Sequence, residues 1–389
     1  MPASHVRSLR LTNFRNYAKL SLEPGPQPVI LVGSNGAGKT NLLEAVSLLA
    51  PGQGLRRVPF PDLARLDGDG TWSVAATLET DNGPVAIGTG LIPGGAPGAM
   101  PGRASRGGRT VRIDGETASG SGALADYLEM VWLTPAMDGL FTGPAGDRRR
   151  FLDRLTVCID PGYRRRVGIY ERAMRQRNRL LEAEHATATI FDGLELQLAE
   201  AGIAMAATRA ETVARINAHI ETRRADMPES PFPWADLRLE GDIEDWLATM
   251  PALDAEDRFR RALAADRPRE RAARRTLTGP HRSDLLVRHG PKDMPAKLSS
   301  TGEQKALLIN LVLAHASLVR AARGNAAPIL LLDEIAAHLD PGRRAALFDE
   351  VVDLGTQAWL TGTDRAAFDT LDGRATGYIM EAAEIIDEF

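Results

Sequence analysis

The sequence predicts an α/β protein in which mixed sheets form a nucleotide-binding body and a helical second lobe is inserted into that body. Three stretches carry this prediction. Residues 29–46 combine a short apolar strand, a glycine-rich turn, a Lys-Thr pair and a helix-compatible run, which is the context of a phosphate-binding loop. Residues 327–334 have the apolar character of a buried strand and end in two adjacent carboxylates. Residues 124–275 mix polar and apolar positions at helical spacing, which predicts antiparallel helices.

The remaining elements follow from local alternation and turn residues. These signals predict antiparallel strands at 6–11, 20–22, 71–79, 85–88 and 111–116. Residues 92–109 are rich in Gly, Pro and Arg and have little to bury, so they predict a mobile loop. Further along, Asp340 and Pro341 predict the start of a helix that Gly355 ends. Residues 358–364 then read as a buried strand that ends in hydroxyls.

The phosphate-binding loop predicts an ATP site. Its glycines let the backbone curl so that N–H groups point at phosphate oxygens, and the following helix adds the positive end of its dipole. Lys39 would neutralise the β and γ phosphates, and the Thr40 hydroxyl would hold Mg²⁺. The alternative is a glycine turn with an ordinary surface lysine. The residues predicted to bind ATP here are Gly33, Ser34, Asn35, Gly36, Ala37, Gly38, Lys39 and Thr40.

Asp333 and Glu334 are the predicted catalytic carboxylates. Ending a buried apolar strand on two acids costs free energy unless a cation or a reaction uses them. Asp333 would bind Mg²⁺ through water, and Glu334 would polarise the attacking water as general base for cleavage of the γ-phosphate. The alternative is an exposed Asp-Glu pair at the end of a strand.

A second candidate anion site opens the apolar helix predicted at 307–319. Residues 298–306 precede it, and the pattern Ser-x-Gly at Ser300 and Gly302 supplies a hydroxyl, a flexible backbone and free N–H groups. The alternative is that Ser300 is a routine helix cap.

Length and composition limit the classes of protein to which the chain can belong. The chain has 389 residues, enough for two domains with separate cores, and 43% of them are hydrophobic. The single cysteine, Cys158, excludes an intramolecular disulfide framework and a cysteine-rich zinc module, which predicts a reducing compartment. The first ten residues lack the apolar core of a signal peptide, and the longest apolar stretch is interrupted by Asn310 and His315. We therefore expect a cytoplasmic protein that does not span a membrane.

The net charge of -4 hides two basic clusters. Residues 147–179 contain eleven arginines and four acids, and residues 258–275 contain eight arginines and two acids. Such clusters suit contact with a phosphate backbone, although a solvated helix face paired with neighbouring acids is the alternative. The residues predicted to contact DNA are Arg148, Arg149, Arg164, Arg165 and Arg166.

The motifs also carry a family resemblance. In a fixed order, the chain resembles the Walker A, signature, Walker B with D-loop, and switch elements of ABC-type ATPases at 33–40, 300–305, 330–334 with Asp340, and 361–364. Within that superfamily the likeness narrows to the RecF family through residues 13–17, 147–153 and 278–285. It spans essentially the whole chain, and the motif set is highly specific.

The resemblance implies an ABC-ATPase-like head, related to the heads of SMC and Rad50, with a helical arm lobe. The implied domains are 1–123 and 276–389 for the head and 124–275 for the arm. Two subunits would sandwich two ATP molecules, with Ser300 and Gly302 of one facing the γ-phosphate bound by the other. Hydrolysis by Glu334 would release this ATP-dependent homodimer.

The resemblance also implies a cellular role. RecF proteins are expected to bind double-stranded and gapped or junction DNA, to act with RecR and RecO, to help RecA load, and to support the SOS response. Turnover would be slow, with ATP acting as a switch. The open alternatives are an ATP-binding DNA scaffold without significant hydrolysis and another SMC-like or OLD-like ATPase. A transporter ATPase is disfavoured by the arginine-rich insertion, and an OLD-type nuclease by the short stretch after Asp364.

The motifs depart from the ABC pattern at the signature, which reads Ser-Thr-Gly-Glu-Gln rather than the transporter Leu-Ser-Gly-Gly-Gln, and at the switch. The switch histidine of many ABC proteins is absent, which leaves Thr363 as the candidate water-positioning group. Gln53 lies early for a Q-loop glutamine and reads as a turn residue. Arg56 and Arg57 either reach a phosphate of nucleotide or DNA or belong to a solvated loop.

Overall fold

The computed structural model describes residues 4–91, 108–183, 187–324, 326–336 and 339–389. The chain forms two compact units, a first unit of Met1–Met137 with Ala316–Phe389 and a second unit of Asp138–His315. The domain boundaries expected from the sequence, at 123/124 and 275/276, stay predictions, and most of the loop expected at 92–109 lies outside the described residues.

An antiparallel sheet forms one layer of the first unit. Its strands are β1 (His5–Phe14), β2 (Tyr17–Leu22), β4 (Trp72–Thr80), β5 (Gly83–Leu91), β6 (Thr110–Ile113) and β7 (Glu116–Thr117). They are ordered β2-β1-β4-β5-β6-β7, so the strands predicted from alternation are confirmed. Asp114 and Gly115 form the turn that joins β6 to β7, with φ angles of 50° and 86°.

A mostly parallel sheet forms the other layer. Its strands are β3 (Val29–Val32), β8 (Met130–Leu133), β12 (Ile329–Leu332), β13 (Ala358–Gly362), β14 (Thr376–Glu381) and β15 (Glu384–Glu388). Their order is β15-β14-β3-β13-β12-β8, and only β15 pairs antiparallel. Every residue of β3 and β12 is buried, which confirms the burial predicted for β12. Because parallel strands end at one edge, the loops after β3, β12 and β13 share an edge of this sheet.

The first unit also contains helices and a buried glutamine that contacts both sheets. Helix α1 (Lys39–Ser47) follows β3, and α9 (Pro341–Asp353) begins at the predicted cap, where the Asp340 side chain accepts a hydrogen bond from the Arg343 N–H at 2.9 Å. Gln357 exchanges hydrogen bonds of 3.0 Å with both backbone groups of Val6. Since these residues lie beside β13 and in β1, the buried amide joins the two sheets.

The second unit is mainly helical. Its helices include α2 (Ala145–Ile159), α3 (Tyr163–Glu182), α4 (Ala188–Asp226), α5 (Asp242–Thr249), α6 (Ala252–Ala265) and α7 (Arg267–Ala273). Helix α4 packs against α3 and α6 around a core that includes Tyr170, Leu198 and Phe259. A small antiparallel sheet is ordered β11-β10-β9, from β9 (Ala235–Glu240), β10 (Asp284–His289) and β11 (Met294–Pro295).

Two strands interrupt the stretch that was predicted to be helical. Strand β8 is a four-residue apolar run, and such a run cannot be told from a buried helix by periodicity. Strand β9 alternates instead, with Ala235 and Leu237 buried and Asp236 and Arg238 exposed. Helix α8 (Thr301–Ala322) has the length and hydropathy of a membrane span, but 67% of its apolar window is buried inside the protein, as in a core helix.

Candidate functional site

The loop between β3 and α1 has the backbone of a phosphate-binding loop. Gly36 and Gly38 have φ angles of 87° and 108°, the left-handed region that glycine adopts without strain. A Cβ on Gly33 would clash with the carbonyl oxygen of Met380 on β14. No side chain of the described residues caps the N-terminus of α1, so its first N–H groups are available to an anion.

Lys39 lies across this loop. Its Nζ donates to the carbonyl oxygens of Gly33 and Ser34 at 2.6 and 2.9 Å. Burial lowers the pKa of the ammonium, while the nearby carboxylates of Glu334 and Asp333 act in the opposite direction. The lysine charge is therefore held between the loop and the two acids, as expected of a residue that neutralises phosphates.

Thr40, Asp333 and Thr361 form a hydroxyl-carboxylate cluster at the carboxyl edge of the parallel sheet. Asp333 Oδ1 accepts hydrogen bonds from Thr40 Oγ1 at 3.0 Å and from Thr361 Oγ1 at 2.8 Å. These are the hard oxygen donors that Mg²⁺ prefers, and Mg²⁺ takes only one or two protein oxygens when phosphates and waters supply the rest. The described residues contain no cluster of three or more His, Cys, Asp or Glu that could hold a metal alone. The donor set therefore fits Mg²⁺ bound together with a nucleotide.

Glu334 follows Asp333 and is half-buried. Its φ of 51° is left-handed, a conformation that costs a non-glycine residue about 1–2 kcal/mol. Its backbone N–H donates to Thr361 Oγ1 at 2.8 Å. One buried hydroxyl thus joins both acids, whereas Thr363, the expected water-positioning group, is exposed.

The turn between β1 and β2 supports the start of α1, a role that the sequence reasoning missed. Tyr17 donates its hydroxyl to the carbonyl of Gly38 at 2.9 Å. Arg15 makes two hydrogen bonds, of 2.8 and 3.0 Å, to the carboxylate of Glu44 on α1. The sequence signal that could have indicated this role is the run at 13–17. From the sequence alone, that run contributes only to the family resemblance.

Arg56 lies against α1 as well. Its guanidinium donates to Asn41 Oδ1 at 2.9 Å, while Asn41 Nδ2 donates to Asn16 Oδ1 at 2.8 Å. The arginine is therefore held beside the phosphate-binding loop and stays partly exposed. Gln53 is exposed and lies in a bend, which agrees with its interpretation as a turn residue.

Ser300 and Gly302 lie at the start of α8, in the second unit. Ser300 Oγ accepts from the N–H of Glu303 at 3.4 Å, and the Glu303 carboxylate accepts from the N–H of Ser300 at 3.1 Å. This reciprocal pair is a capping box. A Cβ on Gly302 would meet no atom within 4 Å, so the surface there is open.

Three of the five arginines predicted to contact DNA are tied into the second unit. Arg148 makes two hydrogen bonds to Asp284, at 2.8 and 2.7 Å, and donates also to the carbonyl of Gly143. Arg149 donates to the carbonyl of Ser283 at 2.5 Å. Burial lowers the pKa of Arg149 and of Arg164. These environments suit positioning of α2 and α3 better than contact with DNA.

The other predicted arginines are more accessible. Arg165 is exposed on α3, and Arg166, also on α3, pairs with Asp160 at 2.6 Å. The second basic cluster presents a larger exposed set on and after α6 and α7, consisting of Arg258, Arg260, Arg261, Arg269, Arg271, Arg274 and Arg275. DNA contact by either cluster stays a prediction.

Comparisons with known proteins agree with the fold and the motifs. Residues 5–372 match the RecF/RecN/SMC N terminal domain family. The chain is 56% identical over 377 residues to the DNA replication and repair protein RecF of Mesorhizobium japonicum, covering 96% of each chain. It is 53% identical over 381 residues to the protein of the same name from Brucella suis, covering 98% of this chain and 95% of that one.

Solved structures show the same fold. A structure of the recombination mediator protein RecF with ATPrS in the RecFOR pathway aligns with a TM-score of 0.84 at 20% identity, covering 100% of this chain and 99% of the other. An Smc head domain from Pyrococcus furiosus, bound to the C-terminal domain of ScpA, aligns with a TM-score of 0.54 at 16% identity, covering 99% and 96%. The predicted ABC-ATPase-like head with mixed sheets and a helical insertion is thus confirmed as a fold.

Proposed function

The chain belongs to the RecF family, and from this premise we propose that it is an ATP-dependent DNA-binding protein of replication and repair. It acts at gapped or junction DNA as a cytoplasmic recombination mediator. The observation that carries the proposal is the cluster beside Lys39 in which Thr40 and Thr361 both donate hydrogen bonds to one carboxylate oxygen of Asp333. A phosphate-binding loop joined to a carboxylate pair in this way is the arrangement that nucleotide hydrolysis needs.

The loop residues and the two acids have distinct roles toward ATP. The N–H groups of residues 33–40 cradle the phosphates, and Lys39 neutralises the β and γ phosphates. Thr40 and Asp333 hold Mg²⁺, which when bound would offset charge on the β and γ phosphates. Glu334 orients and deprotonates the attacking water as general base. Turnover is slow, and ATP serves as a switch.

The ATP-bound state is a homodimer. Ser300 and Gly302 of one subunit contact the γ-phosphate bound in the other, so nucleotide forms part of the interface. The open surface at Gly302 and the exposed Ser300 support this role. Hydrolysis by Glu334 then releases the dimer.

DNA contacts the exposed arginines of the second unit. Arg165 on α3 and the exposed set on and after α6 and α7 present positive charge to solvent, as binding to a phosphate backbone requires. The proposed partners are RecR and RecO, and the proposed outcome is loading of RecA and support of the SOS response. Membership of the RecF family supports these proposed partners and this proposed outcome.

Light scattering of the Glu334→Gln variant tests the proposal. With ATP and Mg²⁺ we expect a shift from monomer to dimer that retains gapped duplex DNA, because the variant binds ATP without cleaving it. Lys39→Ala should lose both nucleotide binding and DNA association. Ser300→Arg should bind ATP and stay monomeric, and normal dimerisation of this variant would refute the composite site.

Phosphate release separates the proposed ATPase from an ATP-binding scaffold. Wild-type protein should release phosphate faster than the Lys39→Ala and Glu334→Gln variants, which serve as matched controls for binding and for chemistry. Equal rates of phosphate release in all three proteins, together with ATP-dependent dimerisation of the wild-type protein, would favour the scaffold. A monomer that does not respond to ATP would contradict both.

A further inference from the structure

Lys292 is built into the surface next to the start of α8. It lies in the turn between β10 and β11, and its Nζ makes an ion pair with the Glu303 carboxylate. Its backbone N–H donates to Nδ1 of His289 at 3.3 Å. The Lys292 side chain remains half exposed, with a relative accessibility of 50%.

Packing fixes the turn that carries this lysine. The N–H of Gly290 donates to the carbonyl of Trp234 at 3.0 Å, and a Cβ on Gly290 would clash with the Trp234 ring. The guanidinium of Arg224 lies 4.5 Å from the centre of a Trp234 ring. Because the turn is held on one side by this stack and on the other by β11, the backbone of Lys292 has a defined position, and the ion pair with Glu303 directs its ammonium.

Glu303 poses an electrostatic problem for the proposed composite site. Its carboxylate completes the capping box with Ser300, so it lies at the point where a γ-phosphate would approach. The pairing with Lys292 and the N–H of Ser300 lowers the pKa of Glu303 to about 2, so the carboxylate is ionised at neutral pH. An unpaired negative charge there would repel a triphosphate.

We propose that Lys292 is a positioning residue for ATP-driven dimerisation, which neutralises Glu303 and so allows the start of α8 to accept the γ-phosphate held by a second copy of the chain. The inference rests on the proposed function and names a residue outside the signature motif that this function requires. Glu303 keeps its capping role, and Lys292 cancels the electrostatic cost of that role.

The expected effect is measurable. Loss of one partly exposed charge beside a phosphate should weaken each contact by about fivefold. A two-fold symmetric dimer has two such contacts, so its dissociation constant should rise by about 25-fold. Because the effect is electrostatic, it should shrink as salt is raised.

The experiment compares variants in the Glu334→Gln background by light scattering over a range of protein concentrations with ATP and Mg²⁺. Lys292→Met should weaken dimerisation while nucleotide affinity of the monomer, measured with a fluorescent ATP analogue, stays within about twofold. Lys292→Arg should dimerise normally. Lys297→Met removes another exposed lysine, five residues further along the chain, and is the matched control.

The double variant Lys292→Met/Glu303→Gln decides between a charge role and a merely structural one. Glutamine preserves the capping box and removes the charge, so the double variant should regain dimerisation. Continued weakness of the double variant, or normal dimerisation of Lys292→Met, would overturn the inference. Absence of any ATP-dependent dimer in the parent Glu334→Gln protein would instead refute the proposed function, so the two failures are distinguishable.

Discussion

The buried hydroxyl of Thr361 lies 2.8 Å from the Asp333 carboxylate and donates a hydrogen bond to it. The same oxygen accepts the backbone N–H of Glu334 at 2.8 Å. Strand β13 therefore sets the position of both acids that end β12. The arrangement gives a supporting residue to the proposed metal ligand and the proposed general base at once.

Replacing Thr361 by valine should reduce hydrolysis more than binding. Valine keeps the shape but removes both hydrogen bonds, and loss of such a supporting partner costs activity by about 10- to 100-fold. Thr361→Ser should stay close to wild type. Thr363→Val is the matched control, since that side chain is exposed. A larger loss of phosphate release in Thr363→Val than in Thr361→Val would return the water-positioning role to Thr363.

Some of this site could be predicted from sequence and some could not. The loop at 33–40 and the pair Asp333-Glu334 are encoded by neighbouring residues, so local pattern was sufficient. The role of Thr361 depends on a contact across 28 positions of the chain, which single-sequence patterns do not report. Thr363, two residues further along the chain, has the same side chain as Thr361. The two threonines differ in burial, which the sequence does not reveal.

The fold shows the same division. The strands around the phosphate-binding loop were predicted because their alternation or their flanking turns are local signals. Strand β8 was predicted as part of a helical stretch, since its four apolar residues become a strand only through pairing with β12. Arg148 was predicted to contact DNA because its charge is visible in the sequence, whereas its partner Asp284, which lies 136 positions away, is not.

Arg148→Lys should destabilise the second unit without changing DNA affinity. Lysine cannot reproduce the paired hydrogen bonds to Asp284, and losing them should cost about 1–3 kcal/mol of the free energy of unfolding. Urea denaturation measures the loss, and DNA titration at a temperature where both proteins are folded measures the affinity. A large fall in DNA affinity with unchanged stability would restore Arg148 as a DNA contact.

Arg274→Gln and Arg275→Gln should have the opposite effect. Both side chains are exposed, and neither has an ion pair with another of the described residues, so stability should change by less than about 0.5 kcal/mol. Removing an arginine that binds a phosphate should lower the slope of log affinity against log salt by about one. Fluorescence anisotropy with gapped duplex at several salt concentrations gives this slope. An unchanged slope in the double variant would remove this surface from the proposed DNA interface.

Acid should destabilise the protein through His281. Its Nε2 lies 3.1 Å from the carbonyl of Thr276, so Nε2 carries the proton, and Nδ1 accepts from the Tyr170 hydroxyl at 2.6 Å. Burial, assisted by Arg282, Arg149 and Arg209, lowers the pKa of His281 to about 4. Between about pH 6.5 and 4 the unfolded chain binds the proton and the folded chain does not. The free energy of unfolding should therefore fall as pH falls, by up to about 1.4 kcal/mol per pH unit.

His281→Gln should remove this part of the slope, which urea denaturation between pH 7 and 5 would measure. His315, whose pKa burial also lowers to about 4, contributes a slope of the same sign that remains in the variant. Glu129 acts in the opposite direction, because burial raises its pKa to about 7 and its ionisation destabilises the fold as pH rises. Both contributions cancel when variant and wild type are compared. A wild-type slope in His281→Gln would contradict the assignment.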